Sequence, residues 1–276
     1  MRSLLLFGWV AGSVGMVAAL VGAGVAQIAP PLLAAHRGGS LLWAENSLLA
    51  FRNALAVGAD FIEFDVHLAR DGEVMVIHDP TLDRTTTGSG PVRDRTVAEL
   101  KALRLKDRSG AVTAETVPTL DEVVEVAAQA RRRMLLEIKV DASKARYPGI
   151  EEKVLTILDR HAMTASTVVM SFEAPTWRRL RELRSDVATC ALYSARTLGR
   201  SSLTAELDTL RAAGVRFIGV EHTVVDAAAV AQAQRAGIGL GAWTVNDPRD
   251  MKRVIDAGVT ILITDQPDVA KTLLKR

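Results

Sequence analysis

Two histidines and three carboxylates stand in three short segments of the chain: Ala35-His36-Arg37-Gly38, then Ile62-Glu63-Phe64-Asp65-Val66 running on to His78-Asp79, and Leu136-Glu137-Ile138-Lys139. In Phe61–His67 the two-residue period of a strand sets Glu63 and Asp65 on one face and turns Ile62, Phe64 and Val66 to the other. The same period places Glu137 with Lys139 and opposes Leu136 and Ile138 to them. Acids that face one small space raise each other's free energy, so the arrangement persists only with a cation or a basic group in the gap. Carboxylates able to hold a divalent ion, beside imidazoles that titrate near neutrality, suit metal-assisted cleavage of a phosphodiester.

The second histidine reaches the acids through a turn. Arg70-Asp71-Gly72-Glu73 carries an Asp-Gly pair between two alternating apolar runs, a strong hairpin signal. Folding there predicts Ala69 opposite Val74, His67 opposite Met75 or Val76, and Asp65 opposite about His78. Taken alone, His78-Asp79-Pro80 reads equally well as a strand end, since Asp-Pro opens turns.

In order and spacing these residues resemble the glycerophosphodiester phosphodiesterase family. The stretch His36–Gly90 carries the resemblance: His-Arg-Gly, the Glu45-Asn46 pair before a helix, Glu-x-Asp, Asp-Gly, His-Asp, then Leu82-Asp83-Arg84-Thr85-Thr86 and Gly88-x-Gly90. Glu137-Ile138-Lys139, Trp243-Thr244-Val245-Asn246 and Thr264-Asp265 extend it from about residue 32 to the end. Ala44 stands where the family usually has Pro, and Ser47 where it has Thr; Ser47 keeps a side-chain oxygen for capping the next helix.

The elements that must position these side chains follow from length and patterning. Of 276 residues, those from 31 to 276 match the roughly 250 that one (β/α)₈ barrel needs. Eight β-like runs alternate with helical patterns: 32–36, 61–66, 134–138, 167–171, 187–192, 216–220, 239–245 and 260–264. The helices between them are expected at 47–57, 120–130, 150–161, 175–183, 203–213, 226–236, 248–257 and 267–274. The fold class is therefore α/β, a TIM barrel. His36, Glu63, Asp65, Glu137, Lys139, Trp243 and Asp265 fall at strand C-terminal ends, where barrels do chemistry. Residues 80–118, after the second strand, are read as a small polar insertion that covers or contacts substrate.

A net charge of +2 is too mild for nucleic-acid binding, and the Arg-rich stretches 131–133 and 178–184 read as solvated helix surface. The single cysteine, Cys190, excludes an internal disulfide and lies in an apolar run. Residues 1–30 read as a leader: from Ser3 to His36 there is no Asp, Glu, Lys or Arg, and Leu4–Ala29 is long enough for a membrane-spanning helix. With Arg2 held inside, either an uncleaved anchor or a signal peptide cut near Gly24-Val25-Ala26 exports the barrel.

The expected site then reads as follows. Glu63, Asp65 and Glu137 hold one divalent cation, Ca²⁺ or Mg²⁺, because a hard ion prefers oxygen ligands. Arg37 and Lys139 meet the phosphate oxygens, His36 and His78 handle the protons, Trp243 walls the glycerol or headgroup, and Glu45 and Asn46 orient His36 or Arg37. The resemblance implies attack by the glycerol 2-hydroxyl or by water, with glycerol 3-phosphate and an alcohol as products. His67, His161 and His222 are read as surface or loop residues, only His222 lying at the catalytic end. Two alternatives are weighed: a membrane-associated lysophospholipase D using the same site on lysophospholipids, and a non-catalytic binding barrel, which predicts a lost ligand or histidine where none is missing.

Overall fold

Eight parallel strands close on themselves in the computed structural model, which describes residues 29–199 and 202–275. They are β1 (Leu32–Ala35), β2 (Phe61–Leu68), β6 (Arg133–Ile138), β7 (Thr167–Ser171), β8 (Ala188–Tyr193), β9 (Phe217–Glu221), β10 (Gly239–Trp243) and β11 (Ile261–Thr264). Neighbours in sequence are neighbours in space, and β1 pairs with both β11 and β2, which leaves the ring without an edge. The expected leader helix falls almost wholly outside the described residues. Among those described, no helix is long and apolar enough to cross a membrane.

Helices α1 (Leu48–Val57), α3 (Leu120–Gln129), α4 (Ile150–Arg160), α5 (Ala174–Leu183), α7 (Leu203–Ala212), α8 (Ala227–Arg235), α9 (Pro248–Ala257) and α10 (Pro267–Leu273) wrap the ring, with a short α6 (Ala195–Leu198) before α7. Their starts show why these residues form helices. Ser47 accepts from Ala50 N at the head of α1, and Thr119 with Glu122 forms a reciprocal cap at α3. Proline opens α9 and α10, where its missing N–H costs nothing.

The period of two divides each strand between two cores. Ile62, Phe64 and Val66 of β2, with Leu136 and Ile138 of β6, pack outward against Phe51, Leu120 and Val124 of the helices. Phe61, Leu135, Val168, Met170, Cys190, Leu192 and Ile263 point inward and fill the barrel. Glu63, Asp65 and Glu137 occupy the same inward-facing register one step nearer the C-terminal pole.

The turn at Asp71-Gly72 does form a hairpin, with β3 (Val74–Val76) antiparallel to β2. His67 lies opposite Met75, one of the two expected partners, while Val74 lies opposite Leu68 rather than Ala69, and Ile77 N bonds to Asp65 O. The loop is thus closed by Ala69 and Glu73 through a backbone hydrogen bond of 2.9 Å. Residues 80–118 fold as a small unit with α2 (Val97–Lys101) and the antiparallel pair β4 (Arg104–Lys106) and β5 (Val112–Thr116). This unit is not merely polar: Leu82, Val92, Leu100, Leu105 and Val117 bury against Met75 and Ile77 of the hairpin, a third apolar cluster beside the mouth of the barrel.

Candidate active site

Register brings the chemistry together. Asp65 of β2 is the direct partner of Glu137 on β6, and the pairing of Ala35 with Ile62 sets His36 beside Glu63. One carboxylate oxygen from each of Glu63, Asp65 and Glu137 lies within 4.8 Å of the others, and all three side chains are buried. His36 follows β1 in a tight turn, His78 follows the hairpin, and Lys139 follows β6, so all reach the same pole. With Arg37, Phe172 and Trp243 they line a cavity of about 180 Å³.

The turn that aims His36 is backbone-constrained. Arg37 has φ 51°, and its N–H donates to Glu63 Oε2 at 2.9 Å. Gly38 has φ 81°, and a Cβ there would stand 2.8 Å from Ala50 Cβ, so no larger residue fits against α1. The His-Arg-Gly order is thus explained by packing as well as chemistry.

Each histidine is backed by a carboxylate. His36 Nδ1 lies 2.6 Å from Asp265 Oδ1, and that aspartate is held in turn by Ser40 Oγ (2.6 Å) and Asn246 Nδ2 (2.7 Å). His78 Nδ1 lies 2.7 Å from Asp79 Oδ1. In both, the Nδ1 contact orients the ring and leaves Nε2 toward the cavity. Arg84 of the insertion clamps the arrangement, donating to Asp79 (2.7 and 3.0 Å) and to both oxygens of Glu45 (2.8 Å). Glu45 also accepts from Arg37 at 3.2 Å.

The electrostatics follow from burial and crowding. Burial pushes the Glu63 carboxyl up, the carboxylates of Asp65 and Glu137 adding to it and His36 opposing. Burial also raises Glu137. Asp65 goes the other way: burial pushes up, but Lys139, His78 and Arg37 outweigh it and hold the group low. Burial works against a charge on His36, yet Glu63 and Asp265 raise its pKa overall. Asp265, opposed by burial but bonded to His36, is held down at about 2.

Lys139 Nζ lies 2.9 Å from Glu137, 3.5 Å from Asp65 and 3.2 Å from His78 Nε2, so it partly neutralises the acids. Even so, Asp65 Oδ1 is buried without a hydrogen bond, and three buried carboxylates face one ammonium. With the Arg37 guanidinium 3.7 Å from Asp65 as the other fixed cation, that is an oxygen-rich donor set with more acids than fixed cations. Opposed ligands of one calcium at 2.3–2.6 Å are up to about 5 Å apart, so the separations suit a single hard cation. No Cys/His cluster appears among the described residues that would suit zinc.

All ten residues picked from the sequence lie in this neighbourhood, with two placements to correct. Asn46 donates to Asp65 Oδ2 at 3.1 Å, so its side chain orients an acid of the triad rather than His36 or Arg37. His67 is fully buried, not a surface residue: Nδ1 meets the Tyr147 hydroxyl and Nε2 the His78 carbonyl, each at 3.0 Å. Burial depresses its pKa to about 4. Trp243 lines the cavity, packed edge-on against Phe172 at 5.5 Å. His161 pairs with Asp121, and His222 lies near Asp250 and Arg253. Sequence reasoning assigned no role to Asp265, Asp79, Asn246 or Arg84. Asp79 adjoins His78, which was a usable signal; Asp265 is 229 positions from His36 and becomes its neighbour only through the pairing of Ala35 with Thr264.

Comparison with known proteins bears on what such a site is for. The profile of the glycerophosphoryl diester phosphodiesterase family matches residues 36–269. A glycerophosphodiester phosphodiesterase of Caldanaerobacter subterraneus is 32% identical over 246 residues, covering 89% of this chain and 98% of its own. A phosphodiesterase of Oleispira antarctica, solved in complex with the product sn-glycerol-3-phosphate, superposes with TM-score 0.76 at 26% identity, over 90% of this chain and 98% of that one. The glycerophosphodiester phosphodiesterase of Thermotoga maritima gives 0.71 at 26% identity, over 88% and 98%.

Proposed function

Because the chain belongs to the glycerophosphoryl diester phosphodiesterase family, we propose that it hydrolyses glycerophosphodiesters to glycerol 3-phosphate and an alcohol, with the work divided among the residues just described. The observation that carries the reading is the pair of carboxylate-backed histidines, His36 on Asp265 and His78 on Asp79, beside a cavity lined by Glu63 and Glu137, with Asp65 buried next to them. An Oleispira relative of the same fold binds the corresponding product.

Arg37 and Lys139 meet the substrate's nonbridging oxygens, whose negative charge grows towards the transition state. One histidine withdraws the proton of the attacking hydroxyl, and the other returns a proton to the departing oxygen through its cavity-facing Nε2. Asp265 and Asp79 hold the rings in the orientation this exchange needs. Trp243 and Phe172 supply the apolar wall against which the carbon chain lies. Glu63, Asp65 and Glu137 are the residues that would hold one divalent cation, Ca²⁺ or Mg²⁺. Such an ion supplies a Lewis acid for the phosphoryl oxygens.

The test is release of glycerol 3-phosphate from glycerophosphocholine by native protein, His36→Ala and Glu63→Ala, each with chelator and after refeeding Ca²⁺ or Mg²⁺. Activity surviving chelation removes the ion from the proposal; activity in both variants removes the site. Location is inferred from the leader: the uncharged run after Arg2 exports the barrel, held at the membrane or released after cleavage. Fractionation with N-terminal sequencing of the mature protein checks it, and a cytoplasmic protein beginning at Met1 contradicts it.

A further inference from the structure

Beside the catalytic cavity lies a larger cleft of about 650 Å³, bounded by the tip of the β4–β5 hairpin, by Arg84 and Thr85, and by Glu45 and Asp265. Asp265 carries His36, and Glu45 carries Arg37, so the two spaces share a wall. The catalytic cavity, at about 180 Å³, is below the range of roughly 300–1,000 Å³ usual for whole-ligand pockets. It holds the glycerol phosphate half of a diester, and the departing alcohol must lie outside it.

The cleft is lined by three acids and three bases, but the two signs are not equally engaged. Its three acids are engaged: Glu45 by Arg37 and Arg84, Asp265 by His36, Ser40 and Asn246, and Asp107 by the N–H groups of Ser109 and Ala111 within its own turn. Among the bases, Arg84 is engaged, but Lys106 Nζ has only the Asp83 carbonyl at 3.4 Å. Arg108 has no partner among the described residues.

We propose that this cleft is a second anion subsite, and that the enzyme is selective for glycerophosphodiesters whose departing alcohol itself carries a phosphate, held by Lys106 and Arg108. The proposal rests on the phosphodiesterase reading above. In the net reaction water adds across one P–O bond: its oxygen joins phosphorus, a proton leaves on the departing oxygen, and the second phosphate departs intact on its alcohol.

The experiment compares two substrates that differ by one group, glycerophosphoglycerol and glycerophosphoglycerol bearing a phosphate on its second glycerol. The native enzyme is expected to show kcat/KM at least about tenfold higher for the phosphorylated compound, since hydrogen bonds to charged groups reach that scale. The ratio shrinks as salt is raised. In Lys106→Ala/Arg108→Ala it collapses to within about twofold, mainly through KM, and in Lys106→Glu/Arg108→Glu it inverts. A native ratio near one at low salt, or a ratio the substitutions leave in place, overturns the subsite while leaving the phosphodiesterase intact. If the native protein cleaves neither compound nor glycerophosphocholine, the broader reading falls and takes this one with it.

Discussion

Asp265 and Asp79 bond the Nδ1 of His36 and His78, so in the proposed mechanism the orientation of both rings is set by these carboxylates. Asp265→Asn is therefore expected to lower kcat at least tenfold with little change in KM, against about 10²–10⁴-fold for His36→Ala; steady-state kinetics on glycerophosphocholine decide it, and a native kcat in the Asp265→Asn variant refutes the orienting role. His67 makes a different prediction, because it is buried uncharged behind His78. In the unfolded chain its ring gains a proton near pH 6.5, whereas in the fold it does so only near 4. The unfolded state therefore binds more protons in that window, and stability falls as pH drops from about 6.5 to about 4, by on the order of 3 kcal/mol at most. Urea melts across that range should show the loss in native protein and a flatter dependence in His67→Gln; identical slopes would sink the assignment. At this scale the sequence was legible where chemistry clustered in short motifs, as in Glu-x-Asp and Glu-Ile-Lys. It was silent on partners brought together by strand register, and it misplaced His67, whose hairpin position said nothing of the Tyr147 that covers it.

Strands and helices of the barrel were legible to within a residue or two, because most units repeat one grammar: a short apolar run, a turn, then a helix opened by Ser, Thr, Asp or Pro, α4 with Gly149 at its N-cap being an exception. Ser47 illustrates how much one such signal carries. Its hydroxyl accepts from Ala50 N and donates to Ala44 O, so Ser47→Ala is expected to cost about 1 kcal/mol, and about 2–4 °C in thermal midpoint. The insertion was not legible in this way. Leu82, Val92, Leu100, Leu105 and Val117 follow neither a two- nor a 3.6-residue period, and β5 is largely solvent-facing, so its apolar kernel is invisible until the chain is folded. That kernel predicts a separable step. Leu100→Ala removes a fully buried side chain at a cost of about 2–5 kcal/mol, loosening the unit that delivers Arg84 to Asp79 and Glu45. Activity should then be lost in urea ahead of the far-UV circular dichroism of the barrel; coincident transitions would show that the insertion and barrel unfold as one.

For the molecule as a whole, the buried acids set a stability that responds to cations. An ion bound only by the folded state at a hundred times its Kd adds about 2.7 kcal/mol, which for a domain of this size raises the thermal midpoint by several degrees. Ca²⁺ or Mg²⁺ should produce that rise in native protein and not in Asp65→Asn; a rise of equal size in both would place the ion elsewhere. A last consequence comes from the direction of β1. The chain enters the ring at Leu32 and travels upward to His36, so the point where the leader joins and the point where substrate is cut sit at opposite poles. If the proposed anchor holds the chain, the attachment lies at the pole opposite the catalytic residues. On that proposal, water-soluble diesters would reach the mouth more readily than lipids in the same membrane.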